Sequence, residues 1–412
     1  MRLSDLARGL FEQICQLPTV DAHEHLHAEE LRLQRPVDIF LLFHQYLCTA
    51  LISAGMAPTD AEGLGEPEVP LDRKWETLSP WLERVRACGA ARPPFEALQF
   101  FFDETDLTAN NYESLSARMQ AQNTPGLYER RLRESCNIVL VLNQNRTMWQ
   151  NELFRPILPE EFFIGSGTTD SLQPLLADCG HELPATVDEL AQLGEELLAR
   201  RQAEGMIGVK GMCFPYTPGE AGEAGRAYDR LRNCQPAAGD PEILTAYLRD
   251  RLYDACGQRG LVVVKHSGVW SGGWSDHTNI RPTHLIPVAL AHRDTRFDLF
   301  HAGTPCPADA GLMARALPNV WLNLCWSHLL SPVQSHQALD LWLDLAPANR
   351  VIAFGGDYWW AVENVYGALT QAREIVATVL AERLNSGQLD SGQALRLARA
   401  WLHDNPREVY GV

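Results

Sequence analysis

Short apolar runs of strand length alternate along the chain with longer stretches in which apolar residues recur every three or four positions. Alternation of these two periods is the mark of a parallel sheet wrapped by helices. Runs of strand type fall at Thr19–Ala22, Asn137–Leu142, Phe162–Ile164, Met206–Met212, Leu261–Lys265, Phe297–Phe300, Val320–Leu324 and Val351–Phe354. Several are apolar without interruption, such as the three valines at 262–264, which suits strands covered on both faces. Eight strands in this rhythm predict an α/β fold of the (β/α)8 TIM-barrel type, one domain spanning residues 1–412.

One spacing breaks the rhythm. More than a hundred residues separate the first two strands, far beyond an ordinary crossover. The stretch holds a Pro-rich, acidic piece (APTDAEGLGEPEVP) and helical patterns such as WETLSPWLERVRACG. Residues 28–134 are therefore expected to form a helical insertion capping the barrel mouth, at the strand C-termini where barrel active sites are built; a small independent domain is the alternative. The segment PGEAGEAGRAYD reads as a loop after the fourth strand.

Composition narrows the function classes. A net charge of −17, without a compensating cluster of Lys and Arg, argues against nucleic acid, whose phosphates call for a basic face. The ten cysteines are scattered with no C-x-x-C pair, so core thiols in a reducing compartment are expected rather than a disulfide framework. The N-terminal MRLSDLARGLFEQICQL lacks the apolar core of a signal peptide. The most apolar stretch, Val37 to Met56, carries Asp38, His44 and Gln45 and fits a buried helix better than a membrane span. These features point to a cytoplasmic protein with a small-molecule substrate, with no membrane or nucleic-acid partner and with homo-oligomerisation left open.

The strongest chemical signal is Asp21-Ala-His23-Glu-His25. Alternate residues of a strand point the same way, so two histidines spaced by two are able to grip one metal from one side of a strand end. Ligand-type residues also close other apolar runs: His266 ends LVVVKH, His301 ends FDLFH, and Asp357 follows VIAFGG. Singly, each reads as a hydrogen-bonded histidine or a helix-capping aspartate. Together, at the strand ends that feed a barrel's active-site mouth, three imidazoles and a carboxylate make a sensible site for zinc or a similar divalent ion.

The motifs VDAHEHL, VKHSG, FHAG, NVWLNLCWS and FGGDYWW, with DNPREVYGV near the C-terminus, resemble the amidohydrolase-related branch of the amidohydrolase superfamily. The long insertion, with DETDLTANNYESL, resembles that of uronate isomerases. The resemblance implies His23, His25, His266 and Asp357 as metal ligands, with Asp357 also taking a proton from water. It implies about one divalent ion per chain, zinc or another such as manganese. His301 then acts on the nucleophile or substrate. Only in a two-metal centre would His301 and a carboxylated Lys210 become ligands; otherwise Lys210 is a buried, paired lysine.

Arg146, after the second strand, is suited to clamp a substrate carboxylate, or else to form a surface ion pair. Trp270, Trp274, His328, Tyr358 and Trp359 follow strand ends and are candidates for the pocket wall, though aromatic residues there also serve packing. The expected reaction is hydrolysis of a small organic acid, amide, ester or lactone by metal-activated water. The alternatives are a metal-dependent decarboxylase and a uronate-type isomerase.

Overall fold

The computed structural model describes residues 3–412. Eight strands form one sheet in strict chain order: β1 (Thr19–Glu24), β2 (Ile138–Gln144), β3 (Phe154–Pro159), β4 (Gly208–Met212), β5 (Val262–His266), β6 (Arg296–Leu299), β7 (Val320–Asn323) and β8 (Val351–Ile352). Helices connect all but β2 and β3, which a loop joins, giving the expected (β/α)8 class. The three valines of β5 are fully buried, as a strand between a barrel interior and a helical layer requires. Parallel pairing of β4 with β5 sets Met212 opposite His266, so His266 sits at the C-terminal end of its strand.

The third strand departs from the expectation. Residues 162–164 belong to a helical turn, Glu161–Ile164, and the strand is Phe154–Pro159. Pro156 and Pro159 mask it in the sequence, because a proline gives no N–H to a ladder. The ladder survives on what proline keeps: the Pro156 carbonyl accepts from Ile207 N–H at 3.0 Å, and Ile157, Leu158 and Pro159 pair with Gly208, Val209 and Lys210. The expected loop at PGEAGEAGRAYD is likewise corrected, since Ala221–Arg232 is a helix. Its buried residues Ala224, Ala227, Tyr228 and Leu231 recur at helical spacing, and this outweighs the two glycines, which cost about 1 kcal/mol each against alanine.

The chain divides into two compact units. The first comprises the chain up to Asn143 with Val269–His277 and Asn323–Pro406, and so contains β1, β2, β8 and residues 28–134. Within it, helices at Tyr46–Ala54, Leu71–Val85, Arg92–Phe102 and Tyr112–Gln122 enclose a core that includes Ile39, Phe40, Phe43, Leu51, Leu98 and Phe102, joined by Ala361. Polar contacts tie this helical segment to the chain after β8. Buried Arg32 donates to the Trp360 carbonyl at 2.9 Å and pairs with Glu363 at 3.3 Å, and Arg92 makes a bidentate pair with Glu374 at 2.7 Å on both arms.

The second unit holds Gln144–Gly268, Thr278–Leu322 and Arg407–Val412. Beneath its strands, fully buried Tyr253 donates to Glu160 at 2.7 Å and accepts from Lys265 at 2.6 Å, so the charged pair is satisfied by a network. At its periphery, His292 lies between Asp254 (2.7 Å) and Asp250 (3.2 Å), and Asp250 also accepts from Gly219 N–H at 2.8 Å. Burial lowers the affinity of His292 for a proton, but the bonds to Asp250 and Asp254 outweigh it and hold the pKa above the usual histidine value. A raised histidine pKa stabilises the fold fully below about pH 6.5, and that gain is lost as pH climbs through the folded value. His292→Gln is therefore expected to lower the melting temperature by roughly 2–5 °C at pH 5.5, with the gap from the parent shrinking towards pH 9. A gap independent of pH would show that the ion pairs contribute nothing.

Candidate metal centre

In the first unit, β1 delivers His23 at its buried end and His25 just beyond it. Phe354 to Tyr358 run alongside: Ala22 N–H donates to the Phe354 carbonyl, Asp357 N–H to the His23 carbonyl and His25 N–H to the Tyr358 carbonyl, at 3.1, 2.9 and 2.9 Å. This pairing brings three donor atoms together. His23 Nε2 lies 3.1 Å from His25 Nε2, and Asp357 Oδ1 lies 3.2 Å from the first and 3.0 Å from the second.

Such a triangle fits a divalent ion. Nitrogen and oxygen ligands about 2.0–2.2 Å from zinc stand about 3.0–3.5 Å apart around it. Two imidazoles and one carboxylate are a donor set suited to zinc and its neighbours in the transition series.

The turn that presents Asp357 is unusual in its backbone. Asp357 has φ +70°, a left-handed conformation that is uncommon outside glycine and persists only where surroundings over-determine it. Several groups do so. The Asp357 carbonyl accepts from Gln45 Nε2 at 2.9 Å and from the Tyr46 hydroxyl, and Gln45 Oε1 accepts from Trp359 N–H at 3.1 Å. From the strand side, Asp21 Oδ1 accepts from Gly356 N–H at 3.2 Å and Glu24 Oε2 from Tyr358 N–H at 2.6 Å. Gly356 leaves room for this carboxylate, since a Cβ would stand 2.0 Å from Glu24 Oε1 and have to displace it.

Burial governs the electrostatics of this floor. Asp21 and Glu24 are fully buried and hydrogen-bonded to each other; burial pushes Asp21 up to about 7, and burial with the charge of Asp21 carries Glu24 well above the carboxylate range. The pair thus retains a proton at neutral pH. Burial also drives the Tyr46 and Tyr358 hydroxyls up, which keeps both phenols neutral donors. His328, fully buried, is pushed down to about 4 by burial, partly offset by the Leu324 carbonyl and Asp357, and stays neutral.

In the second unit His266 and His301 pair with each other. His301 Nε2 lies 2.9 Å from His266 Nδ1, with ring centroids 4.2 Å apart. One proton must sit between these nitrogens, which fixes complementary tautomers and presents Nε2 as the other ring nitrogen of His266. His301 is fully buried and, at φ +64°, also left-handed. The Lys210 ammonium stands 5.2 Å from the Phe300 ring centroid, a cation–π contact that accommodates its charge.

The structure thus groups His23, His25 and Asp357 in the first unit and pairs His266 with His301 in the second. Arg146 is exposed after the end of β2, its own N–H bonded to the Asn145 side chain at 2.7 Å. Trp270 and Trp359 are partly exposed and Trp274 fully so, whereas Tyr358 is buried, with its ring 5.4 Å from that of Tyr46. Asp21, Glu24, Gln45 and Tyr46 had no role on sequence grounds. The polar pair His44-Gln45 inside an otherwise apolar run was the available signal for the last two.

Comparison with known proteins agrees with this architecture. A uronate isomerase from Thermotoga maritima superposes with a TM-score of 0.81 at 14% identity, covering 99% of this chain and 98% of that one. A glucuronate isomerase from Caulobacter crescentus gives 0.80 at 15% identity, covering 98% and 94%. A protein described as a metal-dependent hydrolase from Lactobacillus casei gives 0.67 at 17%, covering 98% and 97%. At such identities the likeness speaks for the fold. No match to a functionally curated protein was found. The amidohydrolase family model (Amidohydro_2) matches residues 184–412, more than half of the chain. With its eight-stranded α/β sheet and its His, His, Asp donor group, the chain belongs to the amidohydrolase family and is an enzyme of that metal-dependent superfamily.

Proposed function

We propose that this enzyme is a metal-dependent hydrolase acting on a small organic acid, amide, ester or lactone. The observation that carries the reading is the triangle of His23, His25 and Asp357 donor atoms, 3.0–3.2 Å on each side. These three residues would hold one divalent ion, zinc or another such as manganese. When bound, such an ion lowers the pKa of water towards neutrality and polarises a substrate carbonyl.

The protein's residues do the rest. The Asp357 carboxylate, fixed by a backbone held from both sides, takes the proton of the attacking water and passes it to the leaving group. His301, paired with His266, would donate a hydrogen bond to a substrate oxygen. Gln45 and Tyr46 hold the Asp357 carbonyl and bring the segment 28–134 to the catalytic turn, so this segment forms a cap that excludes water. Trp270, His328 and Tyr358 would line the substrate pocket, and Arg146 would favour an anionic substrate despite the net charge of −17. Lys210, over Phe300, serves as a structural cation in this one-ion reading. Ten cysteines outside any disulfide favour a cytoplasmic location; no helix among the described residues is long and apolar enough to cross a membrane.

One observation favours a second reading, isomerisation of a uronate: the likeness to uronate isomerases runs over almost the whole chain, residues 28–134 included. Metal-replete enzyme incubated in ¹⁸O-water with lactones, esters, amides and uronates separates the two. Hydrolysis adds one water and places label in a product carboxylate. Isomerisation yields a product of unchanged composition, and decarboxylation releases CO₂. Turnover confined to an isomer of a uronate would overturn the hydrolase assignment.

A further inference from the structure

In the second unit, the loop after β4 crosses the helix Asp240–Arg259 and leaves a hollow beside it. Two contacts fix the crossing. Asp250, on the helix, accepts from the Tyr216 hydroxyl at 3.2 Å and from Gly219 N–H at 2.8 Å. Gly219 lies so close to the helix that a Cβ there would stand 2.2 Å from the Tyr247 Cα, and only glycine allows that approach. The hollow has a volume of about 370 Å³, within the range of small-ligand sites.

Its lining joins apolar surface to charges of both signs. Phe214, Pro215 and Pro218 come from the loop and Pro241 and Ala246 from the helix; Phe214 is 41% exposed. Prolines lose no side-chain freedom when a ligand packs on them. Arg249 is the one basic residue of the lining, and Glu220, Glu223 and Glu242 are its acids. Arg249 commits Nε to Glu160 at 3.3 Å, with its side chain 24% exposed. Neither of its terminal nitrogens has a partner among the described residues, nor has any of the three glutamates' carboxylates. The guanidinium therefore keeps the pair of parallel N–H groups that grips a carboxylate.

We propose that this cavity binds a short peptide of apolar residues as its zwitterion, the carboxylate on Arg249 and the ammonium on Glu242, with Glu220 and Glu223 adding to the negative field. Spacing along the helix sets the length. Glu242 and Arg249 are seven residues apart, about 10 Å along the axis. A dipeptide spans about 7 Å, and the long Arg249 side chain, leaning back towards the helix N-terminus, covers the rest. A free amino acid carries both charges on one carbon and is too short. The cavity shares no residue with the His23, His25 and Asp357 centre, so the proposal stands whether or not an ion binds there. It also lies on the helical side of the sheet. Lys265 reaches Tyr253 at 2.6 Å and Glu160 at 3.7 Å on that side, and strand alternation turns His266 to the opposite face.

Saturation-transfer NMR titration of the full chain with L-alanyl-L-leucine tests the site. The parent is expected to bind with a dissociation constant of about 1 mM or tighter. The C-terminal amide, the N-acetyl form and free L-leucine should each bind about tenfold or more weakly, since each loses a charged hydrogen-bonding end or the reach to it. Arg249→Gln is expected to bring the free peptide down to the level of its amide. Thr217→Trp, at an exposed position in the cavity wall, fills the hollow without touching the charges and should abolish binding at an unchanged melting temperature. Should Arg249→Gln not fold for want of the Glu160 pair, the amide and Thr217→Trp decide. No saturable binding to the parent overturns the proposal. Undiminished binding by Thr217→Trp places the peptide elsewhere and overturns it too. An amide or N-acetyl peptide that binds as tightly as the free one refutes the zwitterion, and leucine binding as tightly refutes the length.

Discussion

His23→Ala or His25→Ala is expected to reduce the metal content of the purified chain from about one divalent ion to near zero. The three donor atoms stand so close together, 3.0–3.2 Å, that each is positioned to bind the ion the other two hold. Loss of one leaves a two-point site. Because the ion binds the folded chain and not the unfolded one, its loss also shows in stability. At a free concentration a hundredfold above the dissociation constant, a ligand contributes about 2.7 kcal/mol. Stripping the parent with a chelator is therefore expected to lower its melting temperature by several degrees, and stripping His23→Ala to change nothing. Elemental analysis and paired melting curves check both halves. His23→Ala additionally empties a fully buried position, so it should melt lower than His25→Ala, whose side chain is 24% exposed. Unchanged metal content in both variants would remove the proposed centre.

Those two histidines were legible because a strand's period of two is a rigid rule. Once Thr19–Glu24 is a strand, His23 and His25 share a side. Asp357 was legible as the first carboxylate after an apolar run, but its geometry was not. The left-handed backbone and the grip of Gln45 and Tyr46 depend on contacts across more than three hundred residues of sequence, and no local pattern records them. The third strand failed for a local reason: its prolines mimic a turn, while the apolar EFFI that follows mimics a strand. His266 was legible as the residue that closes its strand, and there the structure gives it His301 as a partner at 2.9 Å. Periodicity places a residue at the end of a strand, and tertiary contacts decide which neighbours it meets there.

Asp357→Asn tests the proton transfer with the least disturbance to the fold. Asparagine matches aspartate in size and is, with it, among the few side chains that tolerate the left-handed backbone, so φ +70° at this position costs the variant little. The groups that hold the turn act on the backbone: Gln45 and Tyr46 on the carbonyl of residue 357, the His23 carbonyl on its N–H. They persist in the variant, and the melting temperature is expected to stay within a few degrees of the parent's. What is lost is charge and basicity at one atom. A neutral amide oxygen binds a divalent ion more weakly than a carboxylate, so the assay is run with metal in excess and occupancy confirmed by elemental analysis. At equal occupancy, an amide cannot take the proton of the attacking water. General-base catalysis contributes about 10²–10⁴-fold, so kcat on an identified substrate is expected to fall by that factor, equivalent to roughly 3–5 kcal/mol in the barrier. Asp357→Ala is expected to be worse on every count, because it adds strain in the left-handed region to the loss of the carboxylate. A metal-loaded Asp357→Asn enzyme turning over at the parental rate would show that another group carries the proton, and His301, paired with His266, would be the next to test.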